Sequence, residues 1–162
     1  GIQDIALSFE KAERDIMSEN PRNPKENLFD TTLIEEIVLS GFFIGFLVFS
    51  FWWYLLEVKV IELSLARSYI MALMIIIQNI HTFNCRSEKL SIFSISWKSN
   101  PIFILGIFGS LLLGLAVIEI DFLSSFLKTS HIPYQNFLGL FGLGFIILFI
   151  MESYKKIKYH TK

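Results

Sequence analysis

Four long apolar segments dominate the pattern of hydrophobic and polar positions along this chain. The first runs almost without interruption from Leu33 to Leu56, and the third has no charged residue before Glu119. At a rise of about 1.5 Å per residue, helices of this length cross a hydrocarbon core of about 30 Å. We therefore predict an all-α membrane protein, a four-span helical bundle over residues 33–154 with spans at 33–56, 66–84, 101–120 and 134–153.

A shorter amphipathic pattern precedes the spans. Apolar positions recur three and four residues apart between Ile2 and Ile16, as on one face of a helix. Pro21 and a second proline shortly after it then push the backbone out of the helical region. Residues 1–32 are thus predicted to be the end of a preceding membrane helix and a cytoplasmic connector, and residues 155–162 a basic cytoplasmic tail.

The second span is more polar than a lipid-facing helix, since it contains Gln78, Asn79 and His81. Polar side chains within a membrane are costly, and they face protein or a water-filled cavity. In most spans such side chains hydrogen-bond neighbouring helices. One face of this span is therefore expected to be covered by protein.

Small residues at a spacing of four predict close helix packing in two places. Gly41 and Gly45 form such a pair in the first span, and Ser110 and Gly114 form one in the third. Small side chains let helix backbones approach each other within a membrane. We expect both pairs to pack within one bundle rather than to form a dimer interface.

The basic residues predict the orientation of the bundle. Of the 14 Lys and Arg residues, only Lys59, Arg67 and Lys128 fall on the side opposite to residues 1–32. The positive-inside rule places the richer side in the cytoplasm. Both termini are then cytoplasmic, and the lysines of the C-terminal tail can bind anionic lipid.

Composition agrees with a membrane protein, because 53% of the 162 residues are hydrophobic and only 18% are charged. The net charge of −1 gives no reason to expect a nucleic-acid partner. The sequence contains no GxxxxGK[ST] phosphate-binding loop, and His131 and His160 have no metal-ligand partners at a suitable spacing, so both are expected to be solvated. The chain opens on Gly1 within an apolar pattern, which we interpret as a cut in a longer protein.

Two phrases resemble landmarks of P-type cation-transporting ATPases of the calcium type. The first consists of Ala6, Leu7, Ser8, Phe9 and Glu10, then Glu13, Arg14, Asp15, Ile16 and Met17, then Pro21, Arg22, Asn23, Pro24, Glu26 and Phe29. The second consists of Phe83, Asn84, Arg86 and Ser87, then Ser91, Ile92 and Phe93, and later Asn100 as the opening of a helix. The chain departs from the family at Gln3 and Asp4, where Pro-Ala is usual, which leaves the ion specificity open.

The resemblance implies that the chain is the C-terminal transmembrane region of such a pump, from the end of the sixth helix through the tenth. It would scaffold the transport helices and contribute one ion ligand, while the phosphorylated Asp, ATP and Mg belong to the rest of the parent. The fragment itself would hold no cofactor or catalytic residue, and the transported cation would be calcium. Implied partners are membrane lipid, the remaining transmembrane helices and the cytoplasmic domains, in the plasma membrane of a prokaryote.

Gln78 is the residue to which the resemblance gives a cation-binding role. It lies six positions before Asn84, which matches the family position on the eighth helix where a Glu or Gln oxygen coordinates the cation. An amide carbonyl is a suitable ligand for a hard cation, which needs several oxygens. The alternative is that Gln78 only hydrogen-bonds neighbouring helices.

Two other functional hypotheses stay open at this point. The chain could be a free-standing four-span accessory or channel-like membrane protein without ATPase activity. Residues 1–32 could also form a docking surface for the catalytic domains, which is compatible with the role in a pump.

Overall fold

The structure, a computed structural model, describes residues 1–10, 31–87 and 90–160. The predicted connector and the amphipathic pattern beyond residue 10 lie outside the described residues. The helices are α1 (Ile2–Leu7), α2 (Thr31–Trp53), α3 (Leu63–Asn84), α4 (Pro101–Glu119), α5 (Asp121–Leu127) and α6 (Phe137–His160). A π-helical turn at Tyr54–Val58 continues α2, and the described residues include no strand.

Four helical segments are long and apolar enough to cross a membrane: Thr31–Val58, Leu63–Asn84, Pro101–Glu119 and Tyr134–Tyr159. They confirm the predicted all-α fold with four spans. The last helix is longer than its predicted span, since α6 continues to His160, and the first residues of the predicted basic tail are therefore helical. Glu152, Lys155 and Lys156 are good helix formers, which favours this extension.

The spans alternate in direction. Contacts therefore bring the start of α2, the end of α3, the start of α4 and the end of α6 together, and we call this the proximal end of the bundle. The opposite, distal end contains residues 59–62 and 120–133. There Ser68 Oγ of α3 donates a 2.6 Å hydrogen bond to the carbonyl of Ser130.

The centre of the bundle is α3, which packs against α2, α4 and α6. Its side chains Leu73 and Ile77 are fully buried and meet Leu140 and Ile147 of α6. This agrees with the expectation that protein covers one face of the more polar span. By contrast, α2 is peripheral, and Ser40 is its only buried residue.

The two predicted small-residue pairs have different outcomes. A methyl group added at Gly114 would lie 2.7 Å from Ile75 Cδ1, so α3 and α4 do approach closely there. The prediction for Gly41 and Gly45 is wrong within the described chain, because nothing lies within 4 Å of the position of a Cβ at either residue. Both are on the peripheral helix α2, which lacks a close neighbour on that side.

A close approach that the sequence pattern did not reveal occurs at Gly144 of α6. An added methyl group would lie 2.8 Å from Ile80 Cδ1 and 2.9 Å from Ile76 Cγ2. We expect Gly144→Leu to destabilise the protein by about 1–3 kcal/mol through overpacking. The matched control is Gly142→Leu, since nothing lies within 4 Å of that position. Thermal unfolding of both variants checks the prediction, and equal midpoints would contradict it.

The described part of the N-terminal segment differs from the predicted helix. The helix α1 ends at Leu7, and the amides of Ser8, Phe9 and Glu10 instead bond carbonyls three residues back. The buried face of α1 contains Gln3 and Ala6, which contact Gly106 of α4, whereas the predicted apolar face is exposed. The spacing of the apolar residues therefore did not identify the face of α1 that packs against α4. That face lies close to Gly106, where the small side chain of Ala6 fits.

Candidate functional site

Gln78 lies on the exposed face of α3, one turn after the exposed Met74. Its carbonyl accepts a 2.5 Å hydrogen bond from Thr82 Oγ1, but its side-chain amide bonds no other described residue. A side chain that tied α3 to its neighbours would be buried and bonded. The amide of Gln78 is instead free to bind a group outside the described residues.

The neighbouring Asn79 has the structural role expected for polar residues in spans. Its Nδ2 atom donates a 2.8 Å bond to the carbonyl of Ile75 and a 3.1 Å bond to Ser110 Oγ of α4. The residue is buried. The helix rotation that directs Asn79 into the bundle therefore turns Gln78 out of it.

The proximal loop, residues 85–100, joins α3 to α4 and binds the end of α1 through an ion pair. Arg86 Nη2 donates to Glu10 Oε1 at 2.7 Å, and Arg86 Nε donates to Glu10 Oε2 at 3.0 Å. The Arg86 side chain is only 2% exposed and the Glu10 side chain 16%. Two parallel bonds of this kind fix the relative orientation of the two side chains.

Ser99 and Asn100 complete the surroundings of the ion pair. Arg86 Nη2 donates to Ser99 Oγ at 2.6 Å, and Asn100 Nδ2 donates to the carbonyl of Ala6 at 3.0 Å. Asn100 Oδ1 also accepts the amide of Phe103 at 2.9 Å and so caps α4, which confirms its expected place as the opening of a helix. The sequence alone did not reveal its bond to α1.

Partial burial opposes ionisation of Glu10, but hydrogen bonds from Arg86, Asn100 and Ser99 outweigh it and hold the pKa of this carboxyl below its ordinary value of 4.5. Because the pKa is lowered, the ion pair stabilises the fold fully at pH values above the ordinary value of 4.5. This stabilisation is lost only when the pH falls through the lowered pKa. The Glu10 carboxylate is therefore ionised near neutral pH.

The last helix binds the proximal loop from its other side. Lys155 is 2% exposed, and its ammonium donates to the carbonyls of Asn84 at 2.7 Å, Ser87 at 2.5 Å and Leu90 at 3.5 Å. Cations at the C-terminal end of a helix also interact favourably with its dipole. The expectation that Lys155 reaches anionic lipid is thus wrong, because the last residue of α3 and two residues of the proximal loop supply three carbonyl acceptors.

Two further carboxylates accept hydrogen bonds that join elements at the proximal end. Glu152 of α6 accepts a 2.5 Å bond from Ser91 Oγ and a 3.1 Å bond from the amide of Ile92. Glu35 of α2 accepts a 2.9 Å bond from Tyr154 Oη and a bond from Lys158. The loop, α2 and α6 are therefore joined by charged side chains that the sequence pattern marks only as polar.

At the distal end, His131 is exposed, as expected, but it also has a carboxylate partner that the sequence did not reveal. Its Nδ1 atom lies 2.9 Å from an oxygen of Glu119, and the ring contacts Tyr134 edge to face. No group of three or more His, Cys, Asp or Glu residues within the described ranges can hold a metal ion.

These features define a class: a four-span helical membrane domain whose proximal loop is bonded to the end of a preceding helix. Residues 1–157 match the family described as "Cation transporting ATPase, C-terminus", and the chain belongs to that family. The match confirms the resemblance to P-type ATPases that the two sequence phrases indicated.

Two related proteins agree with this assignment. A calcium-transporting ATPase of Bacillus subtilis (strain 168) is 30% identical over 153 residues, which is 94% of this chain and 17% of the relative. Calcium-transporting ATPase type 2C member 2 of Rattus norvegicus is also 30% identical, over 93% of this chain and 16% of the relative. The chain thus spans less than a fifth of the length of these relatives.

Proposed function

We propose that this chain is the C-terminal membrane domain of a P-type ATPase that pumps calcium across a membrane. Its membership of the cation-transporting family and the names of its relatives support the proposal. In this role the rest of the protein would supply the phosphorylated Asp and would bind ATP and Mg. The four spans would support the helices that carry the ion.

Gln78 is proposed to contribute one oxygen ligand to the transported cation. The observation that supports this role is its exposed side-chain amide, which bonds none of the described helices while Asn79 beside it is buried and bonded. A hard cation requires several oxygen ligands, and the remaining ones would come from preceding helices. The exposed face of α3 would then be covered by those helices.

The division of the chain and its orientation follow the same proposal. Residues 1–32 would be the end of the preceding helix and its connector, residues 33–154 the bundle, and residues 155–162 the basic end. The proximal end carries five of the eight Lys and Arg residues that the structure describes and would face the cytoplasm, with both termini there. We propose the plasma membrane of a prokaryote as the location and lipid as the surrounding partner.

The test is ATP-driven uptake of radioactive calcium into inverted membrane vesicles that contain the whole protein. We expect uptake that requires ATP and stops when a chelator removes calcium. A protein that takes up no calcium but transports another cation would contradict the proposed ion. No ATP-dependent transport would favour the free-standing accessory protein instead.

A further inference from the structure

The proximal loop is hydrogen-bonded to two segments from opposite ends of the described chain. Arg86, at its start, binds Glu10 just after α1, whereas Lys155 of α6 binds the carbonyls of Ser87 and Leu90. Within the described residues of the loop, the main chain forms two short 3-10 turns, Ile92–Ser94 and Trp97–Ser99. Its position is therefore set largely by these side chains.

The same bonds fix the end of α3. Lys155 also binds the carbonyl of Asn84, the last residue of α3, and Arg86 follows two positions later. Gln78 precedes Asn84 by six residues, which is about 9 Å along a helix. A helix transmits a shift or rotation of its end over so short a distance. The orientation of Gln78 thus depends on how the end of α3 is held.

Burial makes the pair of Arg86 and Glu10 a strong constraint. The guanidinium is 2% exposed and has bonds to Glu10, Ser99 and the carbonyl of Ser96. Loss of the carboxylate would leave a buried charge without its counter-charge, which is costly. The end of α1 therefore cannot move away from α3 without a large penalty.

We propose that Arg86 and Glu10 form a clamp that holds the end of α3 against the end of α1, and that Arg86 thereby acts as a positioning residue for Gln78. This inference rests on the proposed role of Gln78 as a cation ligand. The clamp concerns only the contact between two helix ends, so the distance between those ends can be measured separately from transport.

The first measurement uses spin labels at Cys85 and at a cysteine introduced by Ser8→Cys, in the whole protein. Both positions are exposed and lie next to the clamp. We expect one narrow distance distribution in the parent and a broader or shifted one after Arg86→Met or Glu10→Gln. The control is Lys98→Met, since Lys98 is exposed on the same loop. Distributions that match the control would overturn the clamp.

The second measurement is the calcium concentration for half-maximal phosphorylation by ATP. Changes in a network that couples two sites alter affinities by about tenfold, so we expect Arg86→Met to raise this concentration by about that factor. The double variant Glu10→Gln/Arg86→Met should not exceed the larger single effect, because both changes break one interaction. Arg86→Lys should recover part of the affinity, since it keeps the charge but not the paired bonds.

Two outcomes separate this inference from the proposed function. Altered distances with an unchanged calcium dependence, or a lowered melting temperature alone, would overturn the positioning role and leave the pump in place. A parent protein without any calcium-dependent phosphorylation would refute the proposed function, and with it the role of Arg86 in calcium binding. The distances would still decide whether the clamp exists.

Discussion

Gln78→Ala in the intact protein is expected to raise the calcium concentration for half-maximal phosphorylation by at least about tenfold. The removed amide oxygen would be a direct ligand, and even residues that only support a ligand change metal affinity by about 10–100-fold. The loss should appear in calcium dependence rather than in stability, since the Gln78 side chain bonds no other described residue and is exposed. A titration of phosphorylation against free calcium measures it.

Two variants control for this prediction. Met74→Ala changes an exposed side chain one turn away on the same face of α3 and should leave the calcium dependence unchanged. Gln78→Glu keeps an oxygen ligand and should retain binding. If Gln78→Ala titrates like the parent, the side chain has a structural role only.

Lys155→Met is expected to destabilise the protein by about 2–4 kcal/mol. The substitution removes hydrogen bonds from a buried ammonium to the carbonyls of Asn84 and Ser87, and a buried acceptor without its partner costs about 1–3 kcal/mol. Methionine is close in length, so the change removes mainly the charge and its bonds. The thermal unfolding midpoint of the intact protein in detergent measures the effect.

The matched control for Lys155 is its neighbour. Lys156→Met removes the same charge at an exposed position and should cost less than about 1 kcal/mol. If both variants unfold at the same temperature, the bonds of Lys155 to the end of α3 do not stabilise the bundle. A difference would show that the α6 residues at the predicted start of the tail are part of the packed structure.

The sequence predicted the features that depend on local composition. The four spans follow from apolar length, and the place of Asn100 at the start of α4 follows from a resemblance between motifs. The contrast between Gln78 and Asn79 also follows in part, because successive residues on a helix point in different directions. Such features require no knowledge of which helices are neighbours.

The sequence could not predict the partners of the charged residues. Arg86 and Glu10 are 76 positions apart in the sequence. The positive-inside rule uses Arg86 and Lys155 only as charges on the cytoplasmic side and gives neither a partner within the bundle. The same limit explains the error at Gly41 and the missed partner of His131. A small residue indicates a close approach only where a neighbour exists, and His131 meets Glu119 only because residues 120–130 form a turn that includes α5.

The central claim is that this membrane domain belongs to a pump that binds calcium, and phosphorylation of the intact protein by ATP tests it most directly. We expect an acid-stable phosphoprotein that forms when calcium is present, is abolished by a calcium chelator, and requires a higher calcium concentration in Gln78→Ala than in Met74→Ala. Phosphorylation that is indifferent to calcium, or that depends on a different cation and is unaffected at Gln78, would contradict it.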